Sequence, residues 1–148
     1  MRGAYALEAP GSGDSAWLAL RLRLWPQASA AEHRRDMTDA LKRGHFVRIA
    51  LHENGSAAGF VEAAKRVDYV NGTSSSPVAF LEGLYVEPAA RRKGVARALV
   101  AAVEAWAAAE GCTELASDSP LENIAAHAVH RALGFEETER VVYFRRSL

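Results

Sequence analysis

The pattern of hydrophobic and polar positions changes period several times along the chain, and each change predicts an element. Trp17, Leu18, Leu22 and Trp25 recur at helical spacing. Asp14 or Ser15 can cap that helix, and Pro26 ends it because the residue before a proline avoids the α conformation. A second helix is predicted from about Ala30 to Arg43, capped by Ser29 and closed by Gly44. From Phe46 to Leu51 the pattern becomes that of a strand, with Val47, Ile49 and Leu51 on one face. Glu53-Asn54-Gly55 reads as a hairpin turn, since Asn-Gly readily takes positive φ angles. A strand from Ala58 to Val67 leads into the polar loop Asn71 to Pro77, and a third strand runs from Val78 to Val86. Gly83 inside that strand marks a bulge or a close backbone approach.

Gly94 to Ala109 reads as a long alanine-rich helix with Val95, Leu99, Val103 and Trp106 on one face. Cys112 to Ser117 is a short strand, Pro120 to Leu133 a helix with proline near its start, and Val141 to Arg145 a last strand. Hairpins precede strand–helix–strand units, which predicts a mixed α+β single domain over residues 1–148.

Composition narrows the function. Lys plus Arg and Asp plus Glu both total 18, so the chain lacks the basic excess of a general nucleic-acid binder. Cys112 is the only cysteine, which excludes an internal disulfide and fits a reducing cytosol, so a cytoplasmic protein is expected. No apolar run approaches the roughly 20 residues of a membrane span, and Met1 to Pro10 lacks an apolar signal core.

The stretch with most chemistry is Leu84 to Ala96, where a strand ends at Pro88, a basic turn follows and a helix opens near Gly94. A helix N-terminus has free N–H groups and a partial positive charge, so it suits phosphate oxygens. Gly94 and Ala96 let an anion approach the backbone, and Arg91, Arg92 and Lys93 add charge. The ordinary alternative is a solvated basic turn.

Arg91-x-x-Gly94-x-Ala96 resembles the acetyl-CoA pyrophosphate loop of the GNAT superfamily of N-acetyltransferases. Asn123, Ala126, His130 and Leu133-Gly134-Phe135 resemble that superfamily's second cofactor motif. The resemblance implies a GNAT-like fold: a central, mostly antiparallel, twisted sheet with a splayed, bulged strand, flanked by about four helices. Asp68 to Thr73, Pro77 to Val86, Ala116-Ser117-Asp118 and Gly134 to Phe144 are similar to the aminoglycoside 6'-N-acetyltransferases. That similarity implies transfer of acetyl from acetyl-CoA to a 6'-amine, conferring antibiotic resistance, by a homodimeric enzyme that needs no metal.

The resemblance also implies residue roles. Backbone N–H groups of Arg92, Lys93, Gly94, Val95, Ala96 and Arg97 would cradle the pyrophosphate. Leu84, Tyr85 and Val86 would bond the pantetheine as an added strand, and Asn123 would bond the cofactor. A backbone N–H near Gly83, that of Leu84, would stabilise the oxyanion. Trp25, Tyr69, Glu82, Asp118 and Glu139 would meet the polycationic acceptor. Each has an ordinary alternative: Trp25 as core, Tyr69 as a strand-end aromatic, Glu139 as a solvated residue, Glu82 in an ion pair with Arg66 or Lys65, Asp118 as a helix cap and Asn123 as a first-turn polar residue. The attacking amine must be neutral, so Asp118 and Glu82 are the candidate bases. His130 stands where many superfamily members have a tyrosine and is the candidate proton donor to the leaving thiolate. Cys112 reads as core, so direct transfer without an acyl-enzyme is expected. His127 and His130 share a helix face but lack further ligands at metal-site spacing. The competing expectations are an acetyltransferase for another small amine or polyamine, and a non-catalytic acetyl-CoA-binding module.

Overall fold

A computed structural model describes residues 5–148. The chain begins with strand β1 (Ala6–Glu8), followed by helices α1 (Ser15–Leu24) and α2 (Ala30–Lys42). Strands β2 (Phe46–Leu51), β3 (Ala57–Arg66) and β4 (Val78–Val86) come next, then α3 (Val95–Ala109), β5 (Leu115–Ala116) and α4 (Ile124–Ala132). The strands form one sheet in chain order, antiparallel throughout except for the parallel β4–β5 pair. This is the mixed α+β architecture the sequence predicts.

Helix ends follow local chemistry. Asp14 caps α1 by accepting from the Trp17 N–H at 2.9 Å. Ser29 caps α2 in a reciprocal capping box with Glu32, and Gly44 takes a left-handed φ of 77° just past its end.

The helices cover both faces of the sheet. On one, Leu99 and Val103 of α3 pack on Val61 and Leu81, and Trp106 stacks on Phe46 with centroids 5.4 Å apart. On the other, Trp17, Leu20 and Met37 of α1 and α2 pack on Val47, Ile49 and Phe60. The buried stripe of α1 is Trp17, Leu20 and Arg21, rotated from the predicted Trp17–Leu18–Leu22 face because a charged residue is drawn under the helix.

Several expectations change. Strand β1 pairs with β2 although its three residues are too few to read as a pattern. The predicted strand from Cys112 shrinks to Leu115–Ala116, and the helix predicted from Pro120 begins at Ile124, capped by Asn123. Residues 141–145 form no strand, and Val142, Tyr143 and Phe144 are 69%, 82% and 92% exposed. An apolar run can pair only where a sheet edge is open to it, and the edge strand β5 has just two residues.

The feature that shapes the cleft is the register of β3 on β4. Glu62 faces Gly83 and Ala63 faces Leu81, so Glu82 is an extra, unpaired residue in a β-bulge. The bulge predicted from Gly83 is therefore present, with Glu82 as the residue it re-aims.

Candidate active site

Strands β4 and β5 pair at Ala79–Leu115 and Phe80–Ala116, and the pairing ends there. Glu82 lies two residues beyond Phe80 and Asp118 two residues beyond Ala116, so both follow the last pair of the ladder, where the strands part. From Leu81 onward, the side of β4 that faces away from β3 has no strand partner among the described residues. The backbone groups of Leu84 and the N–H of Val86 lie on that side and are thus available to an extended amide chain, whereas Tyr85 faces β3 as Glu87 does.

Beyond β4 the chain takes a short 3-10 turn at Pro88–Ala90 and enters the basic loop. Arg92 and Gly94 both adopt left-handed backbone, with φ of 62° and 84°. A positive φ at arginine is uncommon, and such strain concentrates where backbone is shaped for a ligand. No side chain caps α3, so the N–H groups of its first turn are unmatched there. A Cβ at Gly94 would meet nothing within 4 Å, which leaves the approach open. Arg92, Lys93 and Arg97 are exposed around this turn. Arg91 donates to the Val86 carbonyl at 3.0 Å and braces the loop against β4. The donor set suits a pyrophosphate.

Glu82 is half-buried and already partnered. Arg66 Nη2 lies 2.8 and 3.1 Å from its two carboxylate oxygens, and the guanidinium rests 3.6 Å above the Phe80 ring. The ion pair is thus real, with Arg66 as the partner; Lys65 pairs with Glu110 instead. Asp118 is exposed and makes no hydrogen bond or ion pair among the described residues. It caps no helix: that task falls to Asn123, whose Oδ1 accepts from the Ala126 N–H at 3.1 Å. The amide nitrogen of Asn123 stays available to a cofactor.

Trp25 is half-buried where α1 ends, its ring seated on Gly83 beside Glu82. Tyr69 is 75% exposed on the β3–β4 loop. Ser74 donates to Glu114 at 2.9 Å, and this bond with that of Ser75 pulls the Glu114 carboxyl below its ordinary range and ties the loop down. Gly72 of the same loop is met so closely by Thr138 that no Cβ would fit, which brings the segment carrying exposed Glu139 against the Tyr69 loop. Trp25 thus rests on the residue next to Glu82, and the loop that carries Tyr69 meets the segment that carries Glu139.

Both His130 ring nitrogens are engaged. Nδ1 donates to the Ala126 carbonyl at 2.7 Å, and Nε2 faces the Ser117 hydroxyl at 2.7 Å. Ser117 precedes Asp118 at the parting of the strands, so any proton from His130 reaches the cleft through that hydroxyl. Sequence reasoning left Ser117 without a role; a hydroxyl adjacent to a candidate base was the available signal. Burial raises the Cys112 thiol pKa, consistent with an unreactive core residue. Among the described residues no group of three or more His, Cys, Asp or Glu side chains could hold a metal ion. None of their helices is long and apolar enough to cross a membrane.

Comparison with known proteins bears on this geometry. Residues 15–135 match the model of the acetyltransferase (GNAT) family. An aminoglycoside N(6')-acetyltransferase type 1 of Stenotrophomonas maltophilia is 52% identical over 142 residues, covering 95% of this chain and 92% of that one. The enzyme of the same name from Serratia marcescens is 50% identical, with 90% and 92% covered. Among solved structures, AAC(6')-Iy in complex with the bisubstrate analogue CoA-S-monomethyl-acetylneamine superposes with a TM-score of 0.91 at 42% identity, over 99% of this chain and 100% of that one. AAC(6')-Ih from Acinetobacter baumannii gives 0.92 at 44% identity, over 98% and 99%.

Proposed function

The chain belongs to the acetyltransferase (GNAT) family, and from that premise we propose that it transfers acetyl from acetyl-CoA to the 6'-amine of aminoglycoside antibiotics, conferring resistance. The observation that carries this reading is the parting of β4 from β5, which leaves one side of β4 open between the Glu82 bulge and a basic, left-handed loop at the opening of α3. The relatives at about half identity act, by name, on the same substrates.

The loop from Arg92 to Arg97 holds the pyrophosphate, Leu84 and Val86 hold the pantetheine amides, and the amide nitrogen of Asn123 adds a donor. The aminoglycoside's ammonium groups meet Asp118, Glu82 and Glu139, and its rings pack on Trp25 and Tyr69. Asp118 accepts an amine directly. Glu82 does so by exchanging Arg66 for it, which favours an acceptor carrying several charges. One of the two carboxylates, directly or through water, takes the proton that the amine must lose. The neutral nitrogen then bonds to the thioester carbon, with the Leu84 N–H facing the developing oxyanion, and the carbon–sulfur bond breaks as the nitrogen gives its second proton to water. The departing thiolate takes a proton from the Ser117 hydroxyl, and His130 replaces it from Nε2 when its ring carries both protons, since Nδ1 keeps its own on the Ala126 carbonyl.

A homodimer in the cytoplasm belongs to the same reading. The exposed run Val142-Tyr143-Phe144 supports self-association, because adjoining large apolar side chains seldom face water. Light scattering on the chain with and without residues 141–148 tests it. For the function, purified protein is assayed for thiol release from acetyl-CoA with aminoglycosides, polyamines and a peptide N-terminus. Turnover with aminoglycosides alone is expected; turnover with a polyamine alone identifies another acceptor, and none with any amine identifies a binding module.

A further inference from the structure

Among the described residues, Arg21 of α1, His33 of α2 and Glu62 of β3 are buried charged or polar side chains, 6%, 1% and 3% exposed. They form one network. Arg21 Nη1 donates to Glu62 Oε1 at 2.6 Å, and Trp17 Nε1 donates to Glu62 Oε2 at 3.1 Å. Arg21 Nε donates to His33 Nδ1 at 3.1 Å, and His33 Nε2 lies 3.0 Å from the Trp25 carbonyl. The partners fix the tautomer. A guanidinium N–H only donates and a carbonyl only accepts, so Nδ1 is bare and Nε2 carries the proton.

Such a network does not explain itself as a stabiliser. Burying an ion pair costs about as much as the pair returns, and apolar residues of like volume often serve as well. Arg21 also pairs with exposed Asp36 at 3.6 Å, and on its inner side the network lies against Trp25. The Arg21 guanidinium lies 4.7 Å from the centre of the indole, and the His33 ring stacks on it with centroids 6.3 Å apart and planes 22° from parallel. His33 also holds the Trp25 carbonyl where α1 ends. The opposite end of the network is Glu62, whose backbone faces Gly83, the residue on which the indole rests. Phe60 closes the remaining side edge-on at 6.2 Å. The indole is thus held from above by α1 and α2 and from below by the bulge that carries Glu82.

We propose that Arg21, His33 and Glu62 are positioning residues that fix the Trp25 indole on the β4 bulge and so set the acceptor side of the cleft. This rests on the functional reading above in taking Trp25 as an acceptor contact. A side chain held by a second layer of hydrogen bonds keeps its geometry within tenths of an ångström, and a loss of that precision falls on the substrate it touches.

The test separates position from stability. In His33→Gln the carboxamide oxygen can accept from Arg21 and the amide can donate to the Trp25 carbonyl; in His33→Leu both bonds are lost. At 25 °C, with folded protein, His33→Leu is expected to raise the aminoglycoside KM about tenfold or more while the acetyl-CoA KM stays within about twofold. His33→Gln stays near the parent. Val103→Ala, a cavity under α3, lowers the melting temperature without moving either KM. The indole N–H signal of Trp25 in a 15N spectrum should shift or broaden in His33→Leu and keep its place in His33→Gln. If His33→Leu does not fold, Arg21→Lys carries the test: it keeps a charge opposite Glu62 but loses the His33 bond and the flat cover of the indole. A folded His33→Leu with parental aminoglycoside KM and an unmoved indole signal overturns the proposal. A parent protein that acetylates no aminoglycoside overturns the functional reading instead, and the indole signal then decides the positioning claim alone.

Discussion

Replacing Gly83 by alanine tests how tightly the acceptor side of the cleft is built. Gly83 is outside the set of positive-φ glycines, so the added methyl probes space and not backbone strain. A Cβ there would lie 2.5 Å from Trp25 Cη2, 2.8 Å from Cζ2 and 3.3 Å from Leu24 Cδ2. Carbon atoms settle at about 3.5–4.0 Å, so the edge of the indole has to withdraw by about 1 Å. It has little room to do so between Arg21, His33 and Phe60. Overpacking of this kind costs about 1–3 kcal/mol, which for a chain of this length lowers Tm by roughly 2–10 °C. A 1 Å misplacement near the reacting groups costs up to about a hundredfold in rate. Gly83→Ala is therefore expected to lower kcat/KM for an aminoglycoside by about tenfold to a hundredfold. The KM for acetyl-CoA should stay within about twofold, because the anion loop lies at the other end of the cleft. Calorimetry and a thiol-release assay measure both effects. Parental Tm together with parental kcat/KM would show that the indole does not sit on the bulge.

Asp118→Asn and Glu82→Gln keep size and remove charge, and each should cut aminoglycoside kcat/KM by about tenfold or more, since a charge-assisted bond is worth roughly 1.5–3 kcal/mol; unchanged steady-state kinetics in both would remove them from the acceptor site. Gly94→Asp sets a carboxylate and about 1–2 kcal/mol of left-handed strain at the opening of α3, so calorimetry should show weakened acetyl-CoA binding in a folded protein, and unchanged affinity would displace the cofactor from that loop. Ser117→Ala cuts the path from His130 to the cleft and should lower kcat with both KM values nearly unchanged, an effect not deepened by adding His130→Phe; parental kcat would mean the thiolate leaves unaided.

Much of this fold was legible because its signals are local. The Asn-Gly hairpin, the Ser29–Glu32 cap and the alternation of Val47, Ile49 and Leu51 each depend on residues close in sequence. What was missed depends on distant partners. Strand β1 exists because β2 offers an edge, and residues 141–145 have strand-like sequence but no adequate edge to join. Within the site, Gly83 announced a bulge, but the register of β3 decides that Glu82 is the extra residue. Glu62 was overlooked although it stands in an apolar strand as Glu82 does; the argument that a buried charge needs a partner leads from it to Arg21. His130 was recognisable by position, whereas its bond to Ser117 depends on how α4 lies beside β5.

The most direct test of the account is the position of transfer. The protein is incubated with acetyl-CoA and either an aminoglycoside bearing a 6'-amine or a matched one bearing a hydroxyl at that position, and the products are located by NMR. The account predicts acetyl-CoA consumption with the first compound alone and a single product acetylated at the 6'-nitrogen. Equal consumption with both compounds, or a product acetylated at another amine, contradicts it.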